Sequence, residues 1–433
     1  MGLVQGALRS TATAVLIALF LACAQSAALA KPGDLLVADR QAGPGSLGGV
    51  FRVDPATGAV TPVALGAPFV NPEGIAIAPD GKIYVGDQDA PGNPQGPGAL
   101  IRVDPSTGGA SIVATGAPFI EPAGVAVAPD GRVLVTDELG ALFSVDPATG
   151  SIATIATGEP FITPTGVALE ASGQILVADE SADPNAEGAL FRVDPATGAR
   201  TTLASGAPFE EPHEVTVGPD GRILVVDEEA FPPNVLGAVF RVDPVTGGRA
   251  TIAAGAPFDN PTGIALLPDG QIIVADGEPG VGETGAVFRV DPVTGARTTI
   301  AAGDPFGTPE TVAVEPPQCK GLNATIVGST GDDTLTGSAF ADVIVGLEGN
   351  DTVASAGGDD TVCGGTGKDT AKGGTGKDSL FGEAGKDRLF GEAGKDKLKG
   401  GNGKDRLVGG KGKDKCTGGK GADTGKGCEK GKL

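Results

Sequence analysis

Residues 328–426 read, nine at a time and without a gap, GSTGDDTLT, GSAFADVIV, GLEGNDTVA, SAGGDDTVC, GGTGKDTAK, GGTGKDSLF, GEAGKDRLF, GEAGKDKLK, GGNGKDRLV, GGKGKDKCT, GGKGADTGK. The sixth residue of all eleven units is aspartate: Asp333, Asp342, Asp351, Asp360, Asp369, Asp378, Asp387, Asp396, Asp405, Asp414 and Asp423. The eighth is mostly aliphatic, as in Leu335, Ile344, Val353, Leu380 and Leu407. Three residues with alternating side chains make a short strand that buries its central member. Glycines at the first, second and fourth positions permit a tight turn and let backbone carbonyls face an ion. Each turn then offers one hard carboxylate with carbonyl oxygens, the ligand set that calcium takes. No nonapeptide buries enough to fold alone, so stacked turns and the ion must supply the stability together. A disordered Gly/Asp-rich tail would have no reason to keep a period of nine.

The pattern resembles the RTX (hemolysin-type) calcium-binding nonapeptide family, G-G-x-G-x-D-x-U-x. That resemblance implies a parallel β-roll, Ca2+ at the eleven aspartates and folding driven by external calcium. It covers only the C-terminal part, so the toxin, protease or lipase activities of that family are not implied. RTX toxins also carry a C-terminal export signal and few cysteines, unlike this chain. The residue before the ligand aspartate is Asp332, Asn350 or Asp359 in early units. From the fifth unit it becomes Lys368, Lys377, Lys386, Lys395, Lys404 and Lys413. A neighbouring cation opposes an incoming calcium ion. Calcium is therefore expected to bind best from Gly328 to about Gly367. The lysines read either as a solvated row or as a basic stripe for an anionic wall polymer, a membrane surface or the rest of the chain.

The N-terminus carries one positive charge at Arg9, an apolar run and Ala28-Leu29-Ala30 before Lys31. Residues 1–30 read as a secretory signal peptide. Lipid anchoring at Cys23 is the weaker alternative, because Phe20-Leu21-Ala22 fits a lipobox poorly. No later segment is apolar for long enough to be a transmembrane helix, so an extracellular, oxidising setting is expected. There Cys319, Cys363, Cys416 and Cys428 allow three pairings. Sequence proximity and the repeat frame favour Cys319–Cys363 and Cys416–Cys428, sealing the two ends of the roll.

From Lys31 to about Pro317 a longer repeat recurs near every 48 residues. V-D-P-x-T-G begins at Val53, Val103, Val145, Val193, Val242 and Val290, and a P-F phrase follows each, ending at Phe69, Phe119, Phe161, Phe209, Phe258 and Phe306. A strand, a P-D-G-type turn and a second strand complete the unit, as in PEGIAIAPDGKIYVGD from Pro72. Four strands per unit over six units predict a six-bladed β-propeller. The half-unit at 33–39 and the half-unit at 308–316 complement each other, so the ring should close by sharing one blade. The fold class is thus all-β: 31–317 propeller, 318–327 linker, 328–426 roll and 427–433 tail.

The aspartates of V-D-P-x-T-G read as turn caps. The opposite face carries the strand-end acids Asp39, Asp87, Asp137, Asp179, Asp227 and Asp276. It also carries Glu138, Glu180, Asp183, Glu228, Glu229 and Glu283, on loops of the kind that bind ligands. Beside the channel, the residue after the loop proline runs Glu73, Ala123, Thr165, His213, Thr262, Glu310. Blade number and turn phrasing resemble the NHL and gluconolactonase/regucalcin-like propellers, and in the gluconolactonase/regucalcin-like ones carboxylate and amide metal ligands occupy this position. A channel cation at Glu73, Glu310 and His213, the sole histidine, is the expectation the resemblance implies. Ala123 and the two threonines depart from it.

Residues 31–318 hold 13 basic and 37 acidic residues, net −24, whereas 319–433 are nearly neutral at 18 against 17. An acidic propeller repels nucleic acid. The absence of Trp and the single Tyr84 disfavour aromatic stacking platforms. Two functions follow. One is a secreted calcium-binding protein whose propeller is a ligand-binding platform, with a cell-surface or anionic polymer as partner. The other is a metal-dependent enzyme of lactonase or lyase type.

Overall fold

A computed structural model describes residues 31–42, 47–89, 97–182, 187–218, 220–230, 236–277 and 284–432. The expected signal peptide with Cys23, and the loop acids Asp183 and Glu283, lie outside the described residues. Every regular element among the described residues is a β-strand. None of them forms a helix long and apolar enough to cross a membrane.

Six four-stranded antiparallel sheets form the propeller. The second blade is representative: Pro72–Ile77, Ile83–Asp87, Ala99–Asp104 and Gly109–Thr115 run outward from the channel. Its second strand is buried at every residue because blades stack on both of its faces, whereas the outermost strand exposes much of its length. The P-D-G turn requires a left-handed residue, and Gly81 supplies it at φ 82°. Between blades, a P-F phenylalanine meets a strand phenylalanine edge to face, as in Phe209 against Phe240 at 5.3 Å between centroids. The first blade is built from both ends of the propeller. Pro309–Val314 pairs antiparallel with Leu35–Asp39, so the ring closes as the two half-units predict.

The nonapeptides form a parallel solenoid. Thr334 pairs with Thr352 and Val343 with Thr361, an offset of 18 residues, so two units make one turn. Alternate units supply two facing sheets, and their eighth residues meet in one buried column from Leu335 through Leu389 and Leu398 to Cys416. Ile326–Val327 and Lys430–Lys432 extend one sheet at its two ends. Both expected disulfides are present, Cys319–Cys363 and Cys416–Cys428. A short hairpin, Gln318–Cys319 with Leu322–Asn323, joins the two parts, and the Asn323 N–H donates to the Pro79 carbonyl of the propeller at 3.3 Å.

Candidate functional site

The roll aspartates form two buried ladders. The Asp342 N–H donates to Asp360 Oδ1 at 2.8 Å, and the Asp360 N–H donates to Asp378 Oδ1 at 3.0 Å. The alternate ladder links Asp333, Asp351, Asp369 and Asp387 in the same way. From Asp351 onward each carboxylate therefore spends one oxygen fixing the turn before it. The other oxygen is buried and has no hydrogen-bond partner in nine residues, from Asp351 through Asp387 to Asp423. Asp333 and Asp342 differ, because backbone N–H and hydroxyl groups of Ser329 and Ser338 donate to their Oδ2 atoms.

The first-position glycine makes room for that second oxygen in the third unit and from the fifth unit on, while the fourth unit carries Ser355 there. A Cβ on Gly373 would collide with Asp378 Oδ2 and lie 2.9 Å from the Gly391 carbonyl oxygen one turn further on. Carboxylate and carbonyl oxygens thus approach one small space from two turns. This is a cradle of hard acceptors, and it fits calcium.

Without a cation the cradle is electrostatically costly. Burial, then the charges of Asp369 and Asp333, pushes Asp351 up to about 6. Burial together with Asp360 and Asp396 pushes Asp378 up to about 7, and Asp387 rises to about 7 by burial and by Asp369 and Asp405. The preceding residues stack in their own column. Asp332 Oδ1 accepts from the Asn350 N–H at 2.7 Å, and Asn350 Oδ1 accepts from the Lys368 N–H at 3.0 Å. The lysines from Lys368 to Lys413 are exposed, and Lys377 Nζ lies 3.4 Å from Asp359.

In the propeller channel, one ligand atom each of Glu73, His213 and Glu310 lies within 4.8 Å of the others, so the structure brings the three together. Arg40 enters the same space. Its guanidinium bonds Glu73 and lies 3.1 Å from Glu310, both of which are buried. Thr165 and Thr262, the non-acidic members of that ring, stitch neighbouring blades. Their hydroxyls donate to the carbonyls of His213 at 2.8 Å and Glu310 at 2.7 Å.

Arg40 escaped the sequence reading. It belongs to a second ring, the residue after each strand-end aspartate: Arg40, Gln88, Glu138, Glu180, Glu228 and Gly277. The aligned repeats carried that signal. Burial pushes Glu138 up to about 7, while burial and the neighbouring Glu138 push Glu180 up to about 8.

The strand-end aspartates are buried and structural. Asp87 accepts the N–H groups of Val70 and Asn71 at 2.9 and 3.0 Å, and Asp179 accepts those of Ile162 and Thr163 at 3.0 Å each. The V-D-P-x-T-G aspartates cap their turns, as when Asp243 accepts from Val245 and Thr246 at 2.9 and 2.7 Å.

Comparison with known proteins agrees with this architecture. Residues 327–362, 364–398 and 390–424 match the RTX calcium-binding nonapeptide repeat, and residues 258–280 match the NHL repeat. The chain carries calcium-binding RTX repeats behind an NHL-type six-bladed propeller. Among solved structures, one chain of the nidogen/laminin complex is similar, with TM-score 0.53, 14% identity, 66% of this chain and 99% of that chain covered. A protein of Bacteroides fragilis NCTC 9343 assigned as a 6-phosphogluconolactonase gives TM-score 0.44, 15% identity and coverage of 66% and 99%. The search of curated proteins gave no match.

Proposed function

We propose that this is an exported protein whose roll takes up calcium outside the cell and whose propeller is the ligand-binding platform it carries. The observation that carries this reading is the stack of nine buried carboxylate oxygens without a hydrogen-bond partner. Asp351 and Asp360 are the best calcium ligands. Their second oxygens have no hydrogen-bond partner, unlike those of Asp333 and Asp342, and they lie before the lysine row begins. Bound calcium would supply the positive charge that lets these buried carboxylates ionise together. The signal-peptide reading of residues 1–30 and the two disulfides support export.

The later turns carry in-register cations, Arg388 beside Arg406 and Lys397 beside Lys415, suited to an anionic cell-surface polymer. Limited proteolysis of the full chain tests the reading. With calcium chelated, cleavage should fall in residues 328–426 and spare the propeller, and calcium should abolish it. Equal resistance in both conditions would refute a calcium-dependent roll.

A lactonase- or lyase-type use of the channel is the second reading, favoured by the convergence of Glu73, His213 and Glu310. In that convergence the guanidinium of Arg40 already faces Glu73 and Glu310. Its test is turnover of a lactone panel, which His213→Asn should abolish. A panel left unturned by the native protein would remove the reading.

A further inference from the structure

We propose that the channel mouth of the propeller holds a second metal site, chemically distinct from the calcium roll. A divalent transition ion of the zinc type would be bound by His213 Nε2, Glu180 and Glu228. His213 has a side chain only 8% exposed, and its Nδ1 lies 3.0 Å from the Thr262 carbonyl oxygen. A carbonyl can only accept, so the proton sits on Nδ1 and the lone pair on Nε2. Such a carbonyl contact is how ligating histidines are held in one tautomer. The Nε2 lone pair is aimed at two carboxylates, 3.4 Å from Glu228 Oε1 and 3.7 Å from Glu180 Oε1. A neutral imidazole lone pair and a carboxylate do not attract one another unless a proton or a metal cation lies between them, and a single proton can bridge Nε2 to only one of the two carboxylates, whereas a metal bridges it to both.

The spacing fits that cation, and the donor set separates it from calcium. Two donors bonded to one zinc ion at about 2.1 Å in tetrahedral geometry stand about 3.4 Å apart. One ligand atom of each residue lies within 4.8 Å of the others. Calcium would need six to eight oxygens and has no preference for an imidazole.

Neighbouring charge favours the same assignment. The one arginine in this cluster is engaged by Glu73 and Glu310. Glu138 lies on the next blade and accepts from Gln88, adding a further acid to the mouth. The chemistry is that of a three-ligand site with one exchangeable position, the form taken by zinc centres that bind water or an anionic ligand.

The test uses the full chain in millimolar calcium, so that the roll is saturated, and titrates it with Zn2+ alone by calorimetry. One zinc per chain is expected, undisplaced by calcium. Affinity should fall at least about a hundredfold in Glu180→Gln/Glu228→Gln, and stay within about twofold in Asp351→Asn/Asp360→Asn. Because His213 is the sole histidine, imidazole nitrogen NMR reads the site without assignment. Zinc should shift Nε2 and leave the Nδ1 proton in place, and this holds as an independent readout if the double variant fails to fold. Retention of stoichiometric zinc by the folded double variant, or a histidine spectrum unmoved by zinc, would overturn the assignment.

Discussion

Replacing Asp378 by Asn should change the sign of its effect with calcium. In the ion-free roll this carboxyl is pushed from 3.8 to about 7 by burial and by Asp360 and Asp396. Unfolded, it ionises near 3.8. The folded state therefore binds the extra proton between those values, and the roll's stability is full below the lower value and lost as pH rises through about 7. Holding the group ionised in the fold at pH 8 costs about 4 kcal/mol at about 1.4 kcal/mol per pKa unit, and about 2 kcal/mol after discounting for solvent screening. Asn keeps an oxygen to accept the Asp360 N–H, the 3.0 Å bond that Oδ1 makes now, and removes the charge. Without calcium at pH 8 the variant should be more stable by about 2 kcal/mol, and at pH 5 by about 0.7 kcal/mol, the gain vanishing only near 3.8. In saturating calcium it should be less stable, because a ligand oxygen is gone. Urea unfolding of the full chain separates the parts. Tyrosine fluorescence follows the propeller through Tyr84, the sole tyrosine, while circular dichroism follows both. Equal destabilisation with and without calcium would refute the reasoning.

Other expectations come from the same structure. Leu389→Ala, at a fully buried site in the roll column, should cost about 2–5 kcal/mol in the roll transition and leave the propeller transition in place. Asp179→Ala leaves three backbone N–H groups, those of Ile162, Thr163 and Ser181, without their acceptor and should lower propeller stability by about 1–3 kcal/mol per lost partner, read from tyrosine fluorescence melts. Cys319→Ser/Cys363→Ser opens a cross-link of sequence separation 44 and should cost the roll about 4 kcal/mol, with a raised calcium midpoint.

Much of this architecture was legible in the residues. Periods of nine and about 48 gave the two folds, and the complementary half-units at 33–39 and 308–316 gave the closed ring. Less was legible about pairing. A period of nine does not say that Thr334 meets Thr352 rather than Val343, because both sheets carry the same motif. Nor does it say that Ser329 and Ser338 fill the second oxygens of their aspartates, since serine at the second position reads only as a small residue in a turn. The strand-end aspartates looked like face acids because alternation shows where a strand ends, and not which loop folds back onto it. Arg40 could be found as the residue after the first strand-end aspartate, but its partners could not, for a related reason. It meets Glu73 and Glu310 only once ring closure brings the first and second blades and the last strand together.

The most direct test of a calcium-built roll is calorimetric titration of the full chain with calcium, with circular dichroism on the same samples. Cooperative uptake at millimolar calcium with a gain of strand signal is predicted, weakened by Asp351→Asn/Asp360→Asn. A roll that is already fully folded in chelator and takes up no calcium would contradict the account.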